Sequence, residues 1–131
     1  MAAVKNILFS DLDLTFAKHP ITGKLSVLQN NAAVAKSIRN LVLTNKMERP
    51  YQPLVGSDVY SRLFENMDNI TAFNVKKDVK AVIENYEPRA ELIDVRVDAG
   101  IDSNQLAVTI VFRVVNQLAP VETTVYIERI R

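Results

Sequence analysis

The chain has 131 residues, enough for one domain that buries roughly two-thirds of the surface its unfolded form exposes, and 48% of them are hydrophobic, which predicts a packed fold. A formal net charge of +1 without any long block of like charge argues against nucleic acid as a partner, and the absence of cysteine excludes a disulfide framework or thiolate metal site. No signal-peptide pattern opens the chain and no apolar run approaches the about 20 residues that span a bilayer, so the expectation is a protein made and used in the cytoplasm, away from membranes.

Lys5 to Phe16 is an apolar run leading into two aspartates. Asp11-Leu12-Asp13-Leu14-Thr15 matches the Asp-x-Asp-x-Thr signature of the haloacid-dehalogenase phosphatases, in which one Asp attacks phosphate and the other is acid/base around Mg²⁺. The remainder of that machinery is missing, because helical signals fill the middle of this chain and strand signals its end rather than alternating. Leu12, Leu14 and Phe16 read more simply as a short extended arm. His19 to Gly23 is turn-rich, and the lone histidine reads as a solvated loop residue. Ser26 and Gln29 have the spacing of a capping box and predict a helix from 26 to about 43, with Val27, Val34, Ile38, Leu41 and Val42 on one face. Asn31 falls within that face. A buried amide needs partners, so it is expected to tie the helix to a loop backbone, the other option being contact with another protein.

Thr44 to Gly56 is a loop with two prolines, carrying Glu48, Arg49 and Pro50. Ser57 is then expected to cap a short helix with Val59, Tyr60, Leu63 and Phe64 as its stripe. A longer helix follows, with Thr71 as its expected N-cap and Ala72, Val75, Val79, Val82, Ile83 and Tyr86 on the buried face. Phe73 lies off that face, either stapled to Met67 or Ile70 or touching a partner. Pro88 ends the helix and pushes Glu87 into extended geometry, so Glu87 and Arg89 should point the same way from the junction with the next part of the chain. Taken alone they are a surface ion pair worth ~0–1 kcal/mol.

Everything after Pro88 carries strand signal. Leu92 to Val97 alternates, Gln105 to Val115 places Leu106, Val108, Ile110, Phe112 and Val114 on one face, and Val121 to Ile130 forms a third strand. The predicted architecture is α+β, about three helices packed on a small antiparallel meander at the C-terminus, as a single domain: an arm over 1–25, a helical part over 26–89 and a sheet over 90–131. The last strand has an outer edge. Charge lies near its ends, whereas Thr123, Thr124, Val125, Tyr126 and Ile127 in its middle are open to strand addition unless the arm from Lys5 to Leu12 covers them.

Ser37-Ile38 with Leu41 to Thr44, Glu48-Arg49-Pro50-x-x-Pro53, Gly56-Ser57, Leu63-Phe64-Glu65 and Tyr86-Glu87-Pro88-Arg89, in this order and spacing, resemble the small baseplate wedge proteins of contractile phage tails, a family that includes a type VI secretion baseplate subunit. Asp11-Leu12-Asp13-Leu14-x-Phe16 is also similar to the start of phage members. The resemblance implies a structural virion protein, assembled into the tail baseplate in the host cytoplasm, whose partners are other wedge proteins and the tail sheath protein. It implies that Glu87, Pro88 and Arg89 dock on the helical bundle at the wedge core and that the loop bearing Glu48, Arg49 and Pro50 is a further contact. The sheet, similar to the interlocking domain of sheath subunits, would seed the first sheath ring through Thr123 to Ile127. The family usually has glycine where this chain has Met47, which bears on the turn before Glu48. No catalytic residue, cofactor or metal is implied. The alternative is a small hydrolase, either the Asp-x-Asp phosphatase or the lysozyme-like glycosidase that family labels suggest. A glycosidase needs two carboxylates held across a sugar cleft, and Glu48, Glu65 and Glu87 each have a nearer explanation in a neighbouring arginine or a helix end.

Overall fold

A computed structural model of the chain describes residues 6–99 and 105–128. Strands β1 (Ser10–Leu12) and β2 (Val27–Gln29) form an antiparallel ribbon, followed by helices α1 (Asn31–Leu43), α2 (Val59–Arg62) and α3 (Asn69–Tyr86). Strands β3 (Ala90–Ala99), β4 (Gln105–Val114) and β5 (Pro120–Glu128) then make an antiparallel meander in the order β3-β4-β5. The fold is α+β, with three helices and a three-stranded sheet at the C-terminal end.

The core forms where the two periodicities meet. Leu106, Val108, Ile110, Phe112 and Val114, every second residue of β4, are fully buried, as are Val125 and Ile127 beside them. Val34, Ile38 and Val42 of α1 and Val75, Val79 and Ile83 of α3 cover this face at helical spacing. The helix α3 lies over β3 and α1 over β5. Each such side chain contributes about 1.5–3 kcal/mol by leaving water, so the central strand, buried against both helices, is where a truncation costs most.

Three helix starts differ from the sequence expectation, those of α1, α2 and α3. Ser26 does not cap α1. Val27–Gln29 pair with Ser10–Leu12 instead, and the helix begins after Asn30, whose φ of 48° turns the chain. Asn30 also fixes the arm, since its Oδ1 accepts the N–H groups of Leu8 and Phe9 and its Nδ2 donates to the Asn6 carbonyl. The tie to loop backbone expected of Asn31 is therefore made by its neighbour, and Asn31 Oδ1 is buried with no hydrogen-bond partner among the described residues. Likewise α3 is capped by Asp68, whose carboxylate accepts Thr71 N–H at 2.8 Å, and Thr71 is a buried residue of the first turn. Ser57 spends its hydroxyl on the Val42 carbonyl at 2.6 Å, closing the loop back onto the end of α1. Gly56 makes that closure possible, for a Cβ there would lie 2.6 Å from the Thr44 carbonyl oxygen.

Candidate functional site

The end of α3 carries the densest polar cluster. Glu87 follows the helix with φ −125° and ψ 78°, and Pro88 holds Arg89 beside it, so the two side chains meet as the sequence predicts. The pair is bidentate, with Arg89 Nε 2.8 Å from Glu87 Oε1 and Nη2 3.1 Å from Oε2. Arg89 Nη1 reaches both carboxylate oxygens of Asp11, at 3.2 and 3.1 Å, and its guanidinium lies 5.7 Å from the centre of the Phe9 ring. The Ser37 hydroxyl of α1 also favours the ionised form of Glu87.

This is no solvated surface pair, because Glu87 is only 3% exposed. Burial alone would raise the Glu87 pKa, but the bonds from Arg89, helped by the Ser37 hydroxyl, outweigh it and hold the carboxyl below its ordinary value. The Glu87 hydrogen bond raises the Arg89 pKa in turn, so both groups stay ionised. Asp11 of the apparent phosphatase signature is thereby committed to Arg89, while Asp13 accepts Thr15 N–H two residues on. The two aspartates serve separate structural bonds. No group of acids and histidines among the described residues is arranged to hold a metal, and His19 Nδ1 accepts N–H groups of its own turn, from Ile21 and Thr22.

Beside the cluster lies a cleft of about 550 Å³ whose lining includes Asp11, Leu14, Lys36, Asn40, Arg49, Gln52 and Tyr86. Its outer wall is the loop from Thr44 to Gly56. That loop is braced by hydrogen bonds: Met47 N–H donates to the Pro53 carbonyl, Glu48 Oε2 accepts Asn45 N–H, and Tyr86 Oη donates to the Leu54 carbonyl. Met47 and Tyr51 adopt φ of 68° and 67°, left-handed conformations on either side of Glu48-Arg49-Pro50. Met47, where the resemblance led to an expectation of glycine, thus has the geometry that favours glycine. Met47 is 78% and Tyr51 fully exposed. The other candidate glycosidase acid, Glu65, ends its segment bonded to Arg62 at 3.2 Å.

The third feature is the outer edge of β5. Val115 N–H donates to the Arg89 carbonyl, so odd-numbered residues of β4 direct their backbone groups to β3 and even-numbered ones to β5. By the β4–β5 register, Val121, Thr123, Val125 and Ile127 bond inward to β4, and Glu122, Thr124, Tyr126 and Glu128 present theirs outward. The hydroxyl contact between Thr109 and Thr124, 3.1 Å across a pair that exchanges no backbone bonds, agrees with this phase. Among the described residues β5 pairs only with β4. The described part of the arm does not pair with it, since Ser10–Leu12 pair with β2, and Lys5 lies outside the described residues. Sequence reasoning located this strand but not its phase, which depends on how β3 and β4 are joined. Phe73, expected either stapled or at a contact, is 66% exposed near Ile70, itself 69% exposed.

A family model described as baseplate wedge protein gp25 matches residues 28–118. The chain is 32% identical over 117 residues to the baseplate wedge protein gp25 of Enterobacteria phage T4, an alignment covering 89% of this chain and 88% of that one. Its fold is similar to a chain of the anti-feeding prophage baseplate, with a TM-score of 0.71 and 25% identity over 83% of this chain and 87% of that one. It is also similar, in fold alone, to a protein from Geobacter sulfurreducens described as a proposed tail lysozyme, with a TM-score of 0.68 and 24% identity over 76% and 90% of the two chains.

Proposed function

The chain belongs to the baseplate wedge protein family of contractile tails, and from that premise we propose that it is a structural component, working as one unit, that docks on the wedge core and templates the first ring of tail sheath subunits. Docking is assigned to the element Glu87-Pro88-Arg89 with the adjoining loop of Glu48, Arg49 and Pro50. The Glu87 carboxylate is already bonded inside the chain, so the surface offered is the assembled cluster and its cleft rather than a free acid. Templating is assigned to Thr123, Thr124, Val125, Tyr126 and Ile127, whose role divides by phase: Thr124 and Tyr126 offer backbone groups outward, and Val125 and Ile127 hold the strand to the core. Assembly takes place in the host cytoplasm, with no membrane or nucleic-acid partner.

The observation that carries this reading is the outer edge of β5, unpaired among the described residues, because an added strand gains main-chain hydrogen bonds there without disturbing the core. Tyr126→Pro removes one outward donor at a position where an edge strand tolerates proline. Baseplates carrying this variant are expected to form but to start few or no sheaths, counted by electron microscopy. Sheaths of normal number and length on a folded Tyr126→Pro chain would overturn the assignment.

The chain is read as no hydrolase. Glu48, Glu65, Glu87 and Asp11 are each bonded to a neighbour, and Glu87 is shifted toward ionisation rather than toward a proton donor. Purified protein is expected to leave peptidoglycan intact in a turbidity assay; clearing that disappears in Glu48→Gln or Glu65→Gln would reverse this.

A further inference from the structure

The sheet has two edges, and β3 is built differently from β5. Its register slips by one between Leu92 and Asp94, leaving Ile93 as an extra residue that is 54% exposed. Such a bulge bends and twists a strand away from a straight neighbour. It also resets the phase, so the residues that face outward are Ala90 and Leu92 before it and Val95, Val97 and Ala99 after it. Two of these N–H groups are already taken. Ala90 donates to the Glu87 carbonyl at 3.2 Å, and Val95 donates to Asp94 Oδ1 at 2.8 Å.

Asp94 is held in that position from two sides. Lys76 Nζ lies 3.1 Å from its Oδ1 and Arg96 Nε 3.4 Å from its Oδ2. Lys76 belongs to α3, which covers the core face of the sheet, whereas Asp94 pairs with Val111 on the opposite face, between solvent-exposed Ile93 and the buried side chain of Val95. The Lys76 side chain must therefore pass around the β3 edge, across the path of any added strand. An arriving strand would have to strip a carboxylate from Val95 and displace Lys76, and the donors left to it, Leu92, Val97 and Ala99, are interrupted by the clamp. On β5 the outward groups recur at every second residue from Glu122 to Glu128 with no register slip.

We propose that Asp94, with Lys76 and Arg96, closes the β3 edge, so that strand addition to this sheet is confined to β5. The consequence for assembly rests on the reading of β5 as the accepting edge. A chain with both edges open could pair its β5 with the β3 of a second copy, a head-to-tail contact that does not close and grows into filaments. Closing β3 leaves at most a dimer of β5 with β5, and keeps the open edge available for a strand from another protein.

The test is the mass of the full-length chain over a dilution series, by size exclusion with light scattering, with melting curves to verify the fold. Wild type is expected to remain no larger than a dimer at every concentration. Lys76→Ala/Asp94→Ala is expected to grow beyond a dimer as concentration rises, and adding Tyr126→Pro should return it to a dimer or less. If the double variant does not fold, Lys76→Ala alone, an exposed helix position, takes its place with the same expected direction. A folded variant whose mass follows wild type at all concentrations overturns the clamp, as does open-ended growth of wild type itself. Growth of the clampless variant combined with normal sheath initiation on Tyr126→Pro would retain the clamp and remove the functional reading of β5; the reverse pair of results would do the opposite.

Discussion

At the scale of single residues, Glu87 shows how a docking element and a folding element can share atoms. Its carboxylate accepts two guanidinium bonds and the backbone N–H of Arg89 while nearly excluded from water. Glu87→Gln, which keeps the shape and removes the charge, should cost about 1.5–3 kcal/mol at neutral pH, as expected for hydrogen bonds to a charged group. The sequence expectation of a surface pair worth ~0–1 kcal/mol is too small for a group this buried. Because the folded-state pKa is depressed, this contribution is fully present above the unfolded value of about 4.3 and is lost as pH falls through the folded one. Melting temperatures of wild type and Glu87→Gln should therefore differ at pH 7 and begin to converge as pH falls below about 4.3. Asp13, Asp68 and Asp94 are also shifted downward but are common to both chains, so they cancel in the difference. A gap that stays constant across the titration would mean the charge is not what holds Arg89. Met47 gives the opposite sign. Left-handed backbone costs a non-glycine residue about 1–2 kcal/mol, and the added freedom of glycine in the unfolded chain returns about 0.5–1 of that. Met47→Gly should thus stabilise the chain by roughly 0.5–1 kcal/mol in denaturant unfolding; a loss would show that the exposed methionine makes contacts worth more than the strain.

At the scale of elements, the sequence was most legible where one period ran long enough to be unambiguous. Five alternate apolar residues from Leu106 to Val114 can only be a strand buried on one face, and Val75, Val79, Val82 and Ile83 can only be a helix face. Short elements were not legible. Ser26-x-x-Gln29 carries the capping-box pattern, yet Val27–Gln29 are recruited by the arm into a three-residue ribbon that only a partner distant in sequence can define. Asp68 displaced Thr71 as cap because both residue types cap well and the helix reaches three residues further back than its apolar face. Strand phase is invisible for a similar reason, since a one-residue bulge at Ile93 decides which atoms of β3 face outward. That phase makes two adjacent prolines in β5 behave differently. Val125→Pro removes an inward bond to β4 at a fully buried position and is expected to unfold the sheet, whereas Tyr126→Pro removes only an outward donor and is expected to melt close to wild type. Circular dichroism melts of the pair read the phase directly, and equal losses would contradict it.

At the scale of the whole molecule, Arg89 is the place where the three parts of the chain meet. It follows the last turn of α3, opens β3 through its carbonyl bond to Val115, and reaches across 78 positions of sequence to Asp11 in the arm. The Glu-Pro-Arg segment was legible from the proline, and the acidic arm from its own pattern. Their joining was not, because nothing in either segment specifies a partner so far along the chain. The arm is thus held at one end by Asn30 and at the other by a cation that also sits under Phe9. Of the two holds on the arm Arg89→Ala removes the second, and it also strips Glu87 of its guanidinium partner. If the lost contacts are worth about 1–2 kcal/mol to local closure, amides of Ser10–Leu12 and Val27–Gln29 should exchange about 5–30-fold faster, while those of β4 keep rates set by global unfolding. The same variant is expected to enter baseplates poorly, and the two readouts separate the causes. An Arg89→Lys chain keeps the charge but loses the fork that bridges two carboxylates. Should Arg89→Lys restore incorporation while the ribbon still exchanges fast, docking needs the cation and not the ordered arm. Restoration of both together, or of neither, would place the ordered arm itself within the docking surface.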